Sequence, residues 1–437
     1  MRSTVVKVIS SQFFKRILTY GFSDALSKLA PFLVLPIILK VLSPEEFGLV
    51  SNFAVLSSFF FPFIMLNGHT FYSVRYYETS ENQRNNSLNT ASTISIFMFL
   101  VIALLLFATP LSNYLSSFYK LSHSWILLCI FLAFLKSIVF LFQTYLRFSD
   151  KVNLFAKLRI LDSLISAGMA ILFVVILGLG WQGRVSAIII SVFFSLAFLI
   201  FYYDNKLSIL TFNFSYIKEQ LRFSIPLIPH SISSFGKVAV ERGLITITFG
   251  LLLNGVLASV GVFSLVITVI SNAVFSTLNP EILKTLNSLY KDDYDLRSKS
   301  DFTKRIVRLS WFGLGIITLA IMLAYPLGYV FFTYFLDSNY TIAFEYLPFI
   351  LIIAFFQTLY SHFSIYLISS KKTSILSVVT SVNIIIYVLI LVIFINEMSI
   401  VQYLLVSVVS TILMVFSLVL FTAPYIPFKF RKYFDVF

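Results

Sequence analysis

A second cysteine is missing: Cys129 stands alone in 437 residues, so no intrachain disulfide can form and no thiolate pair exists to hold a metal. Histidine is scarce as well. None of His69, His123, His230 and His362 falls in a ligand-spaced pair such as HExxH, which leaves metal catalysis without a basis and makes local hydrogen bonding the expected role of each. No G-x-x-x-x-G-K-[ST] run occurs, so there is no phosphate cradle for ATP. The largest shortage is of charge. Charged residues make up 12% of the chain, where a soluble globular protein carries about a quarter. Too little polar surface remains to face water on all sides, and lipid must solvate much of the molecule.

What is present is apolar: 59% of residues are hydrophobic, and mean hydropathy is +0.93. A helix crossing the hydrocarbon needs about 20 apolar residues. Runs of that kind fall at 17–41, 46–67, 88–109, 122–146, 156–180, 183–203, 223–250, 256–280, 306–333, 342–369, 374–396 and 400–424. The expected fold is therefore an all-α polytopic membrane protein of about twelve spans. The least regular run is the seventh, which Lys237, Glu241 and Arg242 interrupt. No outer loop is long enough to fold as a domain. The start, MRSTVVKVISSQFFKR, lacks a small-residue cleavage site and reads as a short basic helix on the inner surface or a frayed basic tail.

Lysine and arginine placement orients the spans. With the N-terminus inside, only Lys40, Lys120 and Arg184 fall on outer segments, and Lys28, Lys136, Lys237 and Arg242 lie within spans; the rest of the 32 lie on the inner side. Both termini are thus expected in the cytoplasm. The formal net charge of +13 then faces anionic inner-leaflet lipid and calls for no nucleic acid partner. The polar stretch 203–222 divides the chain into expected domains of six spans each, 1–210 and 211–437. Glu46–Ser51 and Ser259–Ser264 echo each other at matching places in the two halves, as parallel repeats would.

Charge inside a span is expensive, about 2.5–3.5 kcal/mol at the bilayer centre, and usually faces a cavity or a partner. Asp24 and Lys28 share a helical face in the first span, Lys136 sits midway along the fourth and Asp162 lies in the fifth. Lys237 and Glu241 share a face in the seventh, with Arg242 turned about 100° away. On one reading Asp24–Lys28 and Lys237–Glu241 are self-neutralising pairs that bridge helices. On the other, the four cations Lys28, Lys136, Lys237 and Arg242 line a central cavity for a phosphate or diphosphate, with Asp24, Asp162 and Glu241 setting cation orientation or coupling to an ion. The acidic KDDYD loop (Asp292, Asp293, Asp295) would need a nucleotide-binding domain around it to be catalytic, and reads as a solvated inner loop.

Several segments carry a family resemblance. Leu42-Ser43-Pro44-Glu45-Glu46-Phe47-Gly48 resembles the L-x-P-x-x-(F/Y)-G turn of the polysaccharide-exporter branch of the multidrug/oligosaccharidyl-lipid/polysaccharide (MOP) flippase superfamily. Leu66-Asn67-Gly68 with Val74-Arg75-Tyr76-Tyr77, Phe223–Pro229, Glu241-Arg242, Gly261-Val262-Phe263-Ser264 and Ser369–Thr373 are similar to further stretches of that branch, in the same order. Within it the chain looks most like an O-antigen flippase (the Wzx type). Phe235 and Lys237 depart from the aromatic-rich stretch usual before the acidic–arginine pair, and Asp24–Lys28 matches no motif of the family.

The resemblance implies two six-helix bundles in a V, as in the MATE and MOP transporters. It implies a non-enzymatic flippase that moves an undecaprenyl-diphosphate-linked O-antigen or polysaccharide unit across the bacterial inner membrane by alternating access, in lipopolysaccharide biosynthesis. No cofactor is expected beyond H+ or Na+ coupling, and polysaccharide polymerase and chain-length proteins are the implied protein partners. The rivals are a gradient-driven multidrug exporter of the same fold, which a positive cavity disfavours, and an oligosaccharide polymerase, which usually carries a large outer loop.

Overall fold

A computed structural model describes residue 27 and residues 32–76, 79–202, 213–289, 296–336, 338–370 and 372–423, with the side chains of 229–230, 232–234, 276–277, 280–303, 305 and 373 excepted. Among them there is no strand. The helices are α1 (32–39), α2 (Pro44–Met65), α3 (Gly68–Arg75), α4 (Glu81–Ala108), α5 (Leu111–Tyr119), α6 (His123–Phe148), α7 (Val152–Ala170), α8 (Gly180–Tyr202), α9 (Phe214–Ser224), α10 (Ile228–Thr248), α11 (Gly250–Leu289), α12 (Leu296–Val330), α13 (Ala343–Ser369), α14 (Thr373–Phe394) and α15 (Ile400–Thr422). Short π turns continue α7 to Ile176 and α12 to Phe335. The protein is an all-α polytopic membrane protein.

Ten described helices are long and apolar enough to cross a membrane. They match the second to sixth and the eighth to twelfth expected spans. Most of the first span, with Asp24 and Lys28, lies outside the described residues, as do the N-terminal basic segment and the KDDYD loop. The seventh expected span is helix α10, whose Lys237, Glu241 and Arg242 set it apart in composition from the other ten. Two boundaries differ from expectation. The third span begins as helix at Glu81, ahead of its expected start at 88, and Ser87, just before that start, is buried inside the protein. The helix of the eighth span, α11, runs 40 residues, about 60 Å and so about twice the hydrocarbon thickness, and continues beyond the expected end of that span at 280.

Local chemistry fixes the start of α2. Ser43 caps it: the Ser43 Oγ accepts from the Glu46 N–H at 3.2 Å, while Glu46 Oε2 accepts from the Ser43 N–H at 3.2 Å. The other Glu46 oxygen accepts from the Trp181 N–H at 3.3 Å and so ties the start of α8 to the same turn. Ser43→Ala is expected to cost about 1 kcal/mol, read as a lowered melting temperature in detergent with export retained. At its other end α2 stops where Leu66 and Asn67 take left-handed backbone (φ 41° and 51°), and α3 restarts the helix in a new direction.

By packing, the chain divides into two compact units, Met1–Gly255 and Val256–Phe437. The division expected at 210/211 counts spans; packing places α10 and the first turn of α11 with the first unit. In that unit α2 is the central helix, packed against α6, α4, α8 and α10. Phe53, Leu56, Ile64, Ile126, Ile130 and Leu132 make its core, all at most barely exposed. In the second unit α13 packs against α12 and α15. There Tyr387 and Ser407 hydroxyls share a 2.7 Å hydrogen bond, and Leu367, Val379 and Leu418 form a buried cluster.

Candidate functional site

Helix α10 carries three of the intramembrane charges, Lys237, Glu241 and Arg242, and its origin lies in prolines. Pro226 sits within a single 3₁₀ turn, Ile225–Leu227, and Pro229 in the first turn of α10, which departs at Ile228. Glycines then let other elements approach it. A Cβ at Gly243 would fall on the Phe118 ring, so the outer helix α5 lies directly on α10. Tyr119, at the end of α5, donates its hydroxyl to the Ala239 carbonyl at 3.0 Å. Burial pushes this phenol's pKa up and keeps it a neutral donor.

Around this contact a buried amide network joins four elements, α2, α5, α10 and α11. The Asn52 Nδ2 donates to the Tyr119 carbonyl at 2.8 Å and to the Thr246 hydroxyl at 3.0 Å. Its Oδ1 accepts from Asn254 Nδ2 at 2.8 Å, which also donates to the Gly48 carbonyl at 3.3 Å. Arg242 Nη1 donates to Asn254 twice, to Oδ1 at 3.1 Å and to the carbonyl at 3.2 Å. Asn52 and Asn254 are both 0% exposed, so every bond they make replaces water that cannot reach them. The backbones come close enough for this because a Cβ at Gly255 would land on the Pro44 carbonyl, and one at Gly48 would sit 2.5 Å from the Leu251 carbonyl. Arg242 is thus held in place by neutral groups, with further N–H donors beyond the one Asn254 engages.

A second polar group lies across α6, α7 and α8. Lys136, half-buried midway along α6, has Asp162, Cys129 and Arg184 as the ionisable groups acting on it. Asp162 Oδ1 in turn accepts from the Ser195 hydroxyl at 3.2 Å, and Arg184 Nη1 donates to the Ser166 hydroxyl at 3.3 Å. Ser163, beside Asp162, donates to the Ser27 carbonyl at 2.8 Å, which brings the first span to this group. Lys136 and Asp162 are therefore brought together, while Arg242 is held in the other network. Lys237 and Glu241 lie one turn apart along α10, both half-buried. Asp24 and Lys28 lie outside the described residues.

Towards the inner end, basic groups rest on aromatic rings. The Arg84 guanidinium sits 4.1 Å from the Tyr76 ring centre, and Lys151 lies 5.3 Å and 5.4 Å from the rings of Tyr145 and Tyr202. Arg75 pairs with Glu219 of α9 at 2.5 Å on an exposed edge. His69 follows the expected local pattern, with Nε2 3.1 Å from the Thr70 hydroxyl, and burial together with Arg147 pulls its pKa down to about 4. His362 does not follow it: among the described residues neither ring nitrogen has a hydrogen-bond partner. The expectation of local hydrogen bonding is corrected there, because its neighbours in space are aromatic rings. Among the described residues no three His, Cys, Asp or Glu side chains gather to hold a metal.

Sequence reading picked out the charges and missed the neutral partners, Asn52, Thr246, Asn254 and Tyr119. Their only sequence signal is an amide inside an apolar run, which Asn52 and Asn254 share.

The sequence model of a family described as "Polysaccharide biosynthesis protein" matches residues 37–335. No curated protein matches the chain. Among solved structures it is similar to the lipid II flippase MurJ in an inward closed conformation, at 15% identity and a TM-score of 0.68 over 97% of this chain and 90% of that one. It is also similar to an inward-facing multidrug resistance MATE family transporter of the MOP superfamily, at 13% identity and a TM-score of 0.64 over 91% and 95%. A third likeness is to the MATE multidrug transporter DinF-BH, at 14% identity and a TM-score of 0.62 over 98% and 96%. At these identities the shared property is the fold.

Proposed function

Because the chain belongs to the polysaccharide biosynthesis protein family, we propose that it is a flippase that carries an undecaprenyl-diphosphate-linked oligosaccharide, an O-antigen or related polysaccharide unit, from the inner to the outer leaflet of the bacterial cytoplasmic membrane. One observation carries the reading: a family tied to polysaccharide assembly has here the fold of MOP-superfamily transporters. The cations within the spans, Lys136, Lys237 and Arg242, with Lys28 of the first span, meet the diphosphate while the polyprenyl tail stays in lipid. Asp24, Asp162 and Glu241 orient these cations and couple the cycle to H+ or Na+. The polymerase and chain-length proteins of the same assembly line act on the product. A drug exporter of this fold is disfavoured, because an excess of cations along the path repels the cationic drugs such proteins would carry.

Deleting the gene is expected to remove surface polysaccharide and to leave complete lipid-linked repeat units on the inner leaflet; unchanged polysaccharide would sink the proposal. Lys237→Ala should abolish export while the protein inserts at wild-type level. Full complementation by that variant would remove Lys237 from the path.

A further inference from the structure

The second unit buries a titratable group that the reading above does not use. His362 on α13 is 0% exposed, and among the described residues neither ring nitrogen finds a hydrogen-bond partner. Its ring stacks on Phe275 of α11 at 5.8 Å with 22° between planes, and meets Phe363 and Tyr366 edge-on at 5.2 and 6.1 Å. One turn back along both helices, the Ser271 and Thr358 hydroxyls share a 3.1 Å hydrogen bond. The two contacts have the same offset of 87 residues, so α11 and α13 run side by side in parallel and their rungs advance together.

The next rung brings Asn279 level with Tyr366, and the Asn279 Oδ1 is also buried without a partner. Helix α12 crosses here through Gly313, where a Cβ would meet Leu278 and Val274 at 2.7 and 3.3 Å. Three residues earlier on α12 is Ser310, 0% exposed, its hydroxyl unpartnered as well. Successive turns of the α11–α12–α13 seam therefore hold an imidazole, an amide oxygen and a hydroxyl, none with a hydrogen-bond partner among the described residues. An unsatisfied buried polar atom costs about 1–3 kcal/mol, and an ionisable side chain inside a span is by default functional.

Among the described side chains of the helices packed here, Tyr366 is the other ionisable group against the His362 ring. The others on α13 are Tyr360, bonded to the Thr380 hydroxyl at 2.6 Å, and Tyr346, with exposed Glu345 at the outer end. Among the described side chains of α12 they are Lys304 and Arg308, both exposed, with Tyr325 and Tyr329 beyond; on α14 and α15 they are Tyr387 and Tyr403. The described side chains of α11 include no ionisable group. An imidazolium in this aromatic box would have no acceptor. Charging the ring requires the seam to part, so that water, Asn279 Oδ1 or Ser310 Oγ can receive its N–H groups.

We propose that His362 is a proton-binding site, charged when the α11–α12–α13 seam parts and neutral when it packs, through which a proton gradient drives export. A ring nitrogen takes the proton from one side of the membrane and gives it up on the other as the seam recloses. The inference rests on the flippase reading and adds to it an energy source in a unit that holds none of the candidate coupling carboxylates.

The test uses the full chain in lipid vesicles and a fluorescent nitrobenzoxadiazole-labelled undecaprenyl-diphosphate disaccharide, with flipping read by quenching from outside. A gradient of one pH unit is worth about 1.4 kcal/mol per proton, a factor of about ten, and should speed wild-type flipping by up to that factor. His362→Phe keeps the aromatic packing and cannot bind a proton; it should insert normally and flip at one rate with or without the gradient. If it inserts poorly, His362→Gln serves in its place. A gradient response that survives in the inserted variant overturns the proposal, as does wild-type flipping that ignores the gradient. Wild-type vesicles that do not flip the probe at all overturn the flippase reading, and the coupling role with it.

Discussion

Gly255→Ala is expected to abolish export and to cost about 3 kcal/mol or more of stability, although it adds one methyl group. The added Cβ would fall on the Pro44 carbonyl, and at the same crossing Gly48 already lies against the Leu251 carbonyl. Both obstacles are backbone, so no side chain can rotate out of the way. Overpacking alone typically costs about 1–3 kcal/mol. Here separation of α2 from α11 also pulls Asn254 away from Asn52 and the Gly48 carbonyl. Each buried polar atom so orphaned adds about 1–3 kcal/mol. Gly168→Ala supplies the control: nothing lies within 4 Å of its Cβ position, and alanine in a helix gains about 1 kcal/mol over glycine. Thermal unfolding in detergent should separate the two variants in opposite directions from wild type. A Gly255→Ala protein that melts with wild type and still exports would show that this crossing has slack.

The contrast between the two glycines illustrates what could be read without coordinates. Spans were legible because hydrocarbon demands long apolar runs, and ten of the twelve expected ones are described helices of that kind. The seventh stood out in the sequence for the same reason it stands out in the structure, the three charges on α10. Legibility failed where a polar residue faces protein instead of water. Asn89, Thr90, Ser92, Thr93 and Ser95 fall inside the expected span 88–109, but one dimension does not say which way they face; together with Ser87 all are buried. Ser92, Thr93 and Ser95 return their hydroxyls to carbonyls one turn back, at 3.0–3.1 Å, which is how a helix carries such residues inside. The family motifs succeeded at the level of family and fold, because turns such as Ser43–Gly48 are local constellations of cap, proline and glycine.

The site was legible only in part, for a related reason. A charge in an apolar run announces itself, so Lys136, Lys237 and Arg242 were visible one at a time. Their surroundings were not, since Asn52 meets Asn254 across 202 positions and Thr246 across 194. His362 shows the same limit from the other side. Its nearest neighbours in sequence predicted nothing about Phe275, which reaches it from another helix.

The amide network also allows the two roles of Arg242, clamp and ligand, to be separated. Asn254→Leu keeps the side-chain volume and removes the Oδ1 acceptor of Arg242 and the donor to Asn52. It should cost about 2–4 kcal/mol, because a half-buried guanidinium loses a partner and the buried Asn52 loses its donor as well. Asn52→Leu should cost somewhat less, and the double variant less than the sum of the two, since both belong to one network. The informative protein is Asn254→Leu combined with Arg242→Met. Replacing both partners by apolar groups of similar shape can be nearly neutral, so melting should recover towards wild type. Export should not recover, because a cation proposed to meet the diphosphate is gone. Recovery of both would reduce Arg242 to a clamp and move the diphosphate to the remaining cations. Recovery of neither would mean that Asn254 steadies the α2–α11 crossing by itself. Only the split result, a stable protein that does not export, keeps Arg242 as a ligand, and that is the expected outcome.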